Sequence, residues 1–396
     1  MKAARRGVGD PAGKKEPGTE RKRVKAARRV GWVDAVLRGE APSWSAVGAP
    51  GARVLDLCDA LEISGLVHHR LAQRPPHDWP DAVYQELASR AHRAAARELV
   101  RAHEIEAVLG SLAARGVQPI LFKGAALAHT VYDSPSLRPH ADTDIFILRD
   151  DAIAAKEIFA ASAYAEPSMS DGELVFCQFQ MMKVDRFGVQ HVFDIHWRIS
   201  TQTLFADTLS YHELAADAAP VPRLGVHART VSGTHALLLA CIHPVMHHRN
   251  TERLIWLQDI DLLVRSLSIT ELLGFAQLAV QKHVAEICAR QLALAADTFQ
   301  TPVPATVLAI LTSPTRPEPS AKYLRPKRRW HHELLWNVRG LGRWSERLRL
   351  LREVLFPSAR YMLNAYHLGP AGVVLLPALY VHRCAYGAFK IAVGRK

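Results

Sequence analysis

The chain has 396 residues, with 50 Lys+Arg against 38 Asp+Glu and a formal charge of +12 with histidine neutral. At 49% hydrophobic and 22% charged it can bury a large core, which excludes wholesale disorder. No apolar run reaches the roughly 18 to 20 residues of a spanning helix; the nearest, Leu368 to Val381, is interrupted by Pro370 and Pro377, so a multi-span membrane protein is excluded too.

Residues 1–30 carry eleven Lys/Arg against Asp10, Glu16 and Glu20, with few large apolar side chains. Burial there cannot offset ordering entropy, so a disordered basic tail is expected. No apolar segment follows it, so no secretory signal is expected and the protein is placed in the cytoplasm. Residues 31–115 read as a helical N-terminal region, with Val83, Leu87, Ala91, Ala94 and Leu99 at helical spacing. Val117 to Phe122 reads as a short strand after Gly116. A helix is predicted from Ala125 to Tyr132, a strand over Asp142 to Leu148, a helix over 151–163, and strands over Leu174 to Val184 and Gln190 to Ile199. From about 205 onward the spacing is helical.

The fold class expected is therefore α+β: a small mixed-sheet core over 116–200 between helical regions at 31–115 and 201–396. Residues 321–352 hold ten Lys/Arg against Glu333 and Glu346, and Leu334, Val338, Leu341, Leu348 and Leu351 keep helical spacing. That predicts a basic amphipathic helix, either a solvated face of a packed helix or a contact for a membrane surface or nucleic acid. The tail and this segment hold sixteen net positive charges, leaving the rest of the chain at −4. Cys58, Cys177, Cys241, Cys288 and Cys384 are odd in number and never spaced C-x-x-C, so reduced structural thiols are expected.

The chemistry gathers in the sheet core. Residues two apart on a strand share a face, so Asp142 and Asp144 present two carboxylates side by side. Two adjacent anions repel unless a cation lies between them, and carboxylates plus substrate phosphates are how Mg²⁺ is commonly held. Asp194, a charge among Val192, Phe193 and Ile195, is the candidate third carboxylate of a two-metal site. At the strand-to-helix turn, Gly124 lets backbone amides approach a phosphate. Lys123 adds a point charge and Arg138 a guanidinium fork. His196 shares the face of Asp194 and is suited either to orient a carboxylate or to act as a base. Each signal alone is weak; their order along the chain is the argument.

That order, Ile120-Leu121-Phe122-Lys123-Gly124-Ala125-Ala126-Leu127, Tyr132, Leu137-Arg138-Pro139, Asp142-Thr143-Asp144-Ile145 and Phe193-Asp194-Ile195-His196-Trp197-Arg198, resembles the bacterial uncharacterised nucleotidyltransferase family of the DNA polymerase beta-like superfamily. The resemblance implies a nucleotidyltransferase fold, with Asp142, Asp144 and Asp194 as metal-binding acids and Gly124 at the nucleotide-cradling turn. The superfamily's usual Gly-Ser pair is replaced here by Lys123-Gly124-Ala125. The expected activity is transfer of a nucleoside monophosphate, AMP, from an NTP, ATP, to a hydroxyl acceptor with release of pyrophosphate. Two Mg²⁺ ions are expected as cofactors, with Mn²⁺ as a substitute. Lys123, Gly124, Arg138 and His196 are the nucleotide-binding candidates. The acceptor is open among a protein, a small molecule, a sugar and an RNA end. The alternative is a catalytically silent member of the fold that binds nucleic acid or a membrane surface, or regulates a partner.

Two motifs are set aside. Asp259 and Asp261 repeat the D-x-D pattern, but Leu254, Leu257, Ile260 and Val264 keep helical spacing around them, and residues two apart on a helix diverge. A supporting contact from Asp259 to the core is expected instead. His243 and His247 share a helix face, but Pro244 stands where H-E-x-x-H needs glutamate, so a zinc site is not expected there and the role of His243, His247 and His248 stays open.

Overall fold

The computed structural model describes residues 31–76, 78–167, 177–314, 317–325 and 328–393. The basic tail expected over 1–30 lies outside them, as do residues 174–176 of the strand predicted from Leu174. The helical N-terminal region comprises α1 (Gly31–Leu37), α2 (Trp44–Val47), α3 (Gly51–Ala60), α4 (Ser64–Gln73) and the long α5 (Asp81–Ala113). Then come β1 (Ile120–Phe122), α6 (Lys123–Thr130), β2 (Thr143–Phe146), α7 (Ala152–Ala161), β3 (Gln178–Val184) and β4 (Gln190–His196). Short elements follow: α8 (Thr203–Ala206), α9 (Tyr211–Ala216), β5 (Ala219–Pro220) and β6 (Arg229–Thr230). The helices α10 (Gly233–His247), α11 (Leu254–Ser266), α12 (Ile269–Gln281), α13 (Ala285–Phe299) and α14 (Ala305–Leu311) form the C-terminal body. Last come α15 (Trp330–Gly340), α16 (Trp344–Leu355), α17 (Ala359–Ala365) and α18 (Leu376–Val393).

Among the described residues six strands form one mixed sheet in the order β3-β4-β2-β1-β6-β5. β1 runs antiparallel to β2 and parallel to β6, while β2 and β4 are parallel and β3 and β4 antiparallel. The sheet thus extends past residue 200 through β5 and β6, two-residue strands in a Pro220- and Pro222-containing segment too short to show alternation. A parallel pair needs a crossover connection, and α7 with β3 supplies it between β2 and β4.

Strand alternation divides the apolar residues between two cores. Leu121, Ile145, Phe193 and Ile195 pack with Ile105, Leu109 and Leu112 of α5 and with Ile158 and Phe159 of α7. Ile120, Phe122 and Phe146 point the other way, into a larger core shared by the N-terminal helices and α10 to α14. With period two, Asp144 and His196 fall on this second face, the one α10 covers. On α5 the predicted apolar spacing holds at Val83 and Leu87, which are buried, but Leu99 is 74% exposed. Its neighbour Glu98 is turned inward instead, because it has hydrogen-bonding partners there.

The basic segment expected as one helix over 321–352 is broken. A 3-10 turn at Pro319–Leu324, α15 and α16 replace it, with the break at Leu341-Gly342-Arg343 following Gly340. Gly340 also lies against Thr203, whose Oγ1 a Cβ there would meet at 2.6 Å, so α15 seats on α8 at that point. All five cysteines are free thiols.

Candidate metal and nucleotide site

The site is assembled at one end of the sheet by strand register. Asp144 on β2 pairs directly with Asp194 on the parallel β4, and Phe122 on β1 pairs with Asp144. Both carboxylates therefore leave adjacent strands on the same face. Asp144, Asp194 and His196 offer ligand atoms that all lie within 4.8 Å of one another. Asp142, just before β2, lines the same cavity as these three.

Asp144 is the most heavily partnered. Its Oδ1 accepts from Lys123 Nζ at 2.6 Å and from His196 Nε2 at 2.9 Å. Burial alone would raise its pKa, but the Lys123 charge and the His196 hydrogen bond outweigh that and hold the carboxyl well below its usual range. Asp194 is in the opposite condition. Burial, then the charges of Asp144 and Asp142, push it up to about 7, against a 2.8 Å hydrogen bond from Gln180 Nε2. Burial and Asp144 also raise Asp142.

His196 is buried, with its ring edge-on to Phe122. Burial and the nearby Lys123 charge lower its pKa to about 4. It is therefore a neutral imidazole near pH 7, and because the ionised Asp144 can only accept, its Nε2 carries the hydrogen. That hydrogen bond ties the imidazole to the Asp144 carboxylate.

Lys123 has φ +59°, a left-handed conformation uncommon for a residue with a side chain. At the junction of β1 and α6 it carries the ammonium over the Phe122 ring at 4.7 Å and onto Asp144. The lysine read as a phosphate contact is thus engaged with a carboxylate of the site. Two carboxyls raised by burial and by the neighbouring acids, beside an ionised Asp144, make a donor set that suits a divalent cation.

Arg138 is placed differently from the phosphate fork expected of it. Its Nε and Nη2 donate to Asp259 Oδ1 and Oδ2 at 2.7 and 2.8 Å, and Nη1 donates to the Pro139 carbonyl at 2.5 Å. Tyr132 Oη adds a third hydrogen bond to Asp259 at 2.8 Å. All three side chains are buried, so the guanidinium is a structural clamp between the loop before β2 and α11. This is the supporting contact anticipated for Asp259. It also accounts for Gly124: a Cβ there would lie 3.3 Å from His140 Cβ and 3.4 Å from Arg138 Nη1. The glycine lets α6 approach the clamp.

Sequence reasoning missed Glu98 and His140. The Glu98 carboxylate lies 3.0 Å from His129 Nε2 and 3.1 Å from His140 Nε2, while His140 Nδ1 lies 3.0 Å from the Asp142 carbonyl oxygen. Arg101 Nη1 donates to the His140 carbonyl at 2.6 Å. The signal in the sequence was a glutamate flanked by apolar and arginine positions of a helix, indistinguishable there from a solvated one.

The four residues Lys123, Asp144, Asp194 and His196 form the floor of a cavity of about 1260 Å³. His243 and His247 of α10, His248 just after it and Trp256 of α11 also line this cavity. The His243 and His248 rings pack against Trp256 at centroid distances of 5.2 and 4.5 Å. Burial keeps His243 and His247 neutral, their pKa values well below the usual histidine range.

The uncharacterised nucleotidyltransferase family matches residues 51–300, more than half of the chain. The chain belongs to this nucleotidyltransferase family. The match takes in the N-terminal helices from α3, the whole sheet and α10 to α13, so Glu98, the Arg138–Asp259 clamp and the acidic cluster all fall within the family's extent. A comparison with curated proteins finds no match.

Proposed function

We propose that this nucleotidyltransferase moves AMP from ATP to a hydroxyl acceptor, working in the cytoplasm with Mg²⁺. The observation that carries the reading is the parallel register Asp144–Asp194, which sets two carboxylates level beneath a cavity large enough for a nucleotide and part of an acceptor. Asp142, Asp144 and Asp194 are the residues that would hold two Mg²⁺, or Mn²⁺ in their place, and the ions would supply charge neutralisation at the phosphates. His196 orients Asp144 through its Nε2 hydrogen bond. Lys123 supplies a mobile positive charge that passes from Asp144 to a substrate phosphate. The backbone at Gly124, in the first turn of α6, favours negative charge. The helical wall bearing Trp256 and the histidines excludes water from the base side. In the reaction the acceptor oxygen bonds to the α-phosphorus, the bond from that phosphorus to the α,β-bridging oxygen breaks, pyrophosphate leaves, and the hydroxyl proton passes to solvent. Positioning and electrostatics carry most of the rate.

The test is pyrophosphate release from each of the four NTPs with Mg²⁺ or Mn²⁺, followed by tracing labelled nucleotide into protein, sugar, small-molecule and RNA acceptors. The expected result is metal-dependent release that drops by about 10²-fold or more in Asp144→Asn and Asp194→Asn. Full turnover in Asp144→Asn, or no NTP consumed with any acceptor class, overturns the proposal.

The 2.6 Å Lys123–Asp144 ion pair favours a second reading, a silent member of the fold whose ammonium stands in for a cation. The two readings part on Lys123→Met. An active enzyme that uses Lys123 on phosphate loses turnover, whereas a silent one gains divalent-ion affinity and shows no turnover before or after the change.

A further inference from the structure

Beyond α13 the chain leaves the family's matched region, and past α14 its surface chemistry inverts. On α16, Trp344, Leu348, Leu351 and Leu355 follow a four-three-four spacing and so form one stripe. Trp344 is 74% and Leu348 64% exposed, and Leu355 is exposed too. The inward contact of that helix is carried by Leu350.

α18 shows the same inversion more sharply. Val381 is 71% exposed and Phe389 is also exposed, on a face completed by Ala385 and Ala388. The one arginine of its middle turns, Arg383, is directed inward, where Nη2 donates to the Val354 carbonyl. A water-facing helix does the reverse. The 20-residue stretch Pro370–Phe389 is long and apolar enough to cross a membrane by length and composition, and none of it is buried. Within it, just before α18, Val374 is 82% exposed.

Charge says what covers this face. From residue 354 to the end of the sequence there is no Asp or Glu, while Arg360, Arg383, Lys390, Arg395 and Lys396 are present. On α16, Arg352 is exposed beside the apolar stripe. Apolar side chains, an exposed tryptophan and flanking arginines are what an anionic bilayer surface accommodates, with the rings at headgroup level and cations on lipid phosphates. A second copy of the chain would bring the same positive charge against itself. An RNA backbone would use the arginines and leave Val374, Val381 and Phe389 in water.

We propose that α16 to α18 form a docking surface that lies in the plane of an anionic lipid membrane. This inference does not rest on the nucleotidyl-transfer reading. Because Tyr361 of α17 also lines the cavity above the acidic cluster, the docking module and the site share a wall.

The test is co-sedimentation of the full chain with vesicles of phosphatidylethanolamine and phosphatidylglycerol, against vesicles of phosphatidylcholine alone. Binding to the anionic vesicles is expected, weakening as salt rises from ~0.05 to ~0.5 M, with tryptophan emission quenched by brominated acyl chains. The variant Leu348→Glu/Val381→Glu/Phe389→Glu should bind at least ~10-fold more weakly, with unchanged helix content by circular dichroism. Four results overturn the proposal. These are no preference for anionic vesicles, unaltered binding by the variant, resistance to alkaline carbonate extraction (a spanning helix), and a concentration-dependent dimer or an RNA complex that the variant abolishes in the absence of lipid.

Discussion

The Arg138–Asp259 clamp separates two roles for the arginine that sequence alone does not distinguish. The perturbation is Asp259→Asn. It keeps the shape of the side chain but removes the charge opposite a guanidinium that is 7% exposed and makes two of its hydrogen bonds to that carboxylate. Breaking one partner of a buried pair leaves an uncompensated charge and costs about 3–5 kcal/mol. With a urea slope of ~3 kcal/mol/M, that is a fall of roughly 1–2 M in the unfolding midpoint. Tyr132→Phe removes a single hydrogen bond to the same carboxylate and should cost about 1–2 kcal/mol. The double variant Arg138→Leu/Asp259→Leu removes both charges and should be more stable than either single change, because a buried ion pair replaced by apolar residues is often neutral. Equilibrium urea unfolding of the parent, Arg138→Leu, Asp259→Leu and the double variant, with NTP binding measured in parallel, supplies the cycle. If Asp259→Asn unfolds within about 1 kcal/mol of the parent while Arg138→Leu abolishes NTP binding, the clamp is incidental and the guanidinium is a phosphate ligand.

Three further outcomes follow from the same geometry. Lys123→Met leaves Asp144, 7% exposed at its side chain, without its cation, and should lower stability by about 3 kcal/mol in chelator; added Mg²⁺ or Mn²⁺ should recover much of it, and no metal response in thermal unfolding would contradict the cation-binding character of the cluster. Glu98 has a folded pKa lowered from 4.5 to about 2, since hydrogen bonds from His129 and His140 outweigh the upward effect of burial. Its contribution, about 3 kcal/mol by linkage, is present above pH 4.5 and lost as the pH falls toward 2. Glu98→Gln should therefore flatten the acid limb of a stability–pH curve in that window, and an unchanged limb would refute the assignment. Gly225 has φ +87°, and a Cβ there would meet Glu106 Oε1 at 2.6 Å, so Gly225→Ala should cost about 1–3 kcal/mol in urea unfolding; a neutral result would show that the loop before β6 relaxes freely.

The strands that carry acids were legible because their chemistry and their alternation coincide. Asp142-Thr143-Asp144 followed by an apolar run reads as a strand entered from its acidic end, and β2 begins at Thr143. The two-residue β5 and β6 were not legible, since pairing with β1 and with each other defines them and no local pattern does. Arg138 shows a different limit. A sequence gives the chemistry of a guanidinium but not the partner 121 residues away that uses it. Asp259 was readable as a structural contact because its helical spacing ruled out a shared face with Asp261, and the structure supplies the partner. The same long-range dependence hid Glu98, whose burial is set by two histidines that follow α5 in the chain. The division of the basic segment after Gly340 was visible as two glycines, Gly340 and Gly342, but the leucine spacing across them outweighed it.

The clamp and the Glu98 cluster explain why a site of three carboxylates can be built at all. Asp142 and Asp194 sit against a third acid, and the Lys123 charge, with the Gln180 hydrogen bond on Asp194, offsets only part of the repulsion and burial that raise them. The backbone carrying Asp142 is therefore held from outside. At one end of its loop Arg138 is fixed to α11 through Asp259, and at the other His140 grips the Asp142 carbonyl while facing Glu98 of α5. The two attachments reach different helices, one C-terminal to the acidic strands and one N-terminal. Repulsion among the acids then cannot relax by moving the loop, and the cluster answers it electrostatically, with one carboxyl raised to about 7 and another held low by an ammonium. A cation entering such a site gains the attraction without the cost of gathering the ligands. On this argument Glu98→Gln should weaken divalent-ion binding even though Glu98 is not one of the acids assigned to the metal, while a surface change such as Glu157→Gln on α7 leaves binding unaltered. Calorimetric titration of Mn²⁺ into the two variants would show it, and equal affinities would mean that the loop holds its acids in place without help from α5.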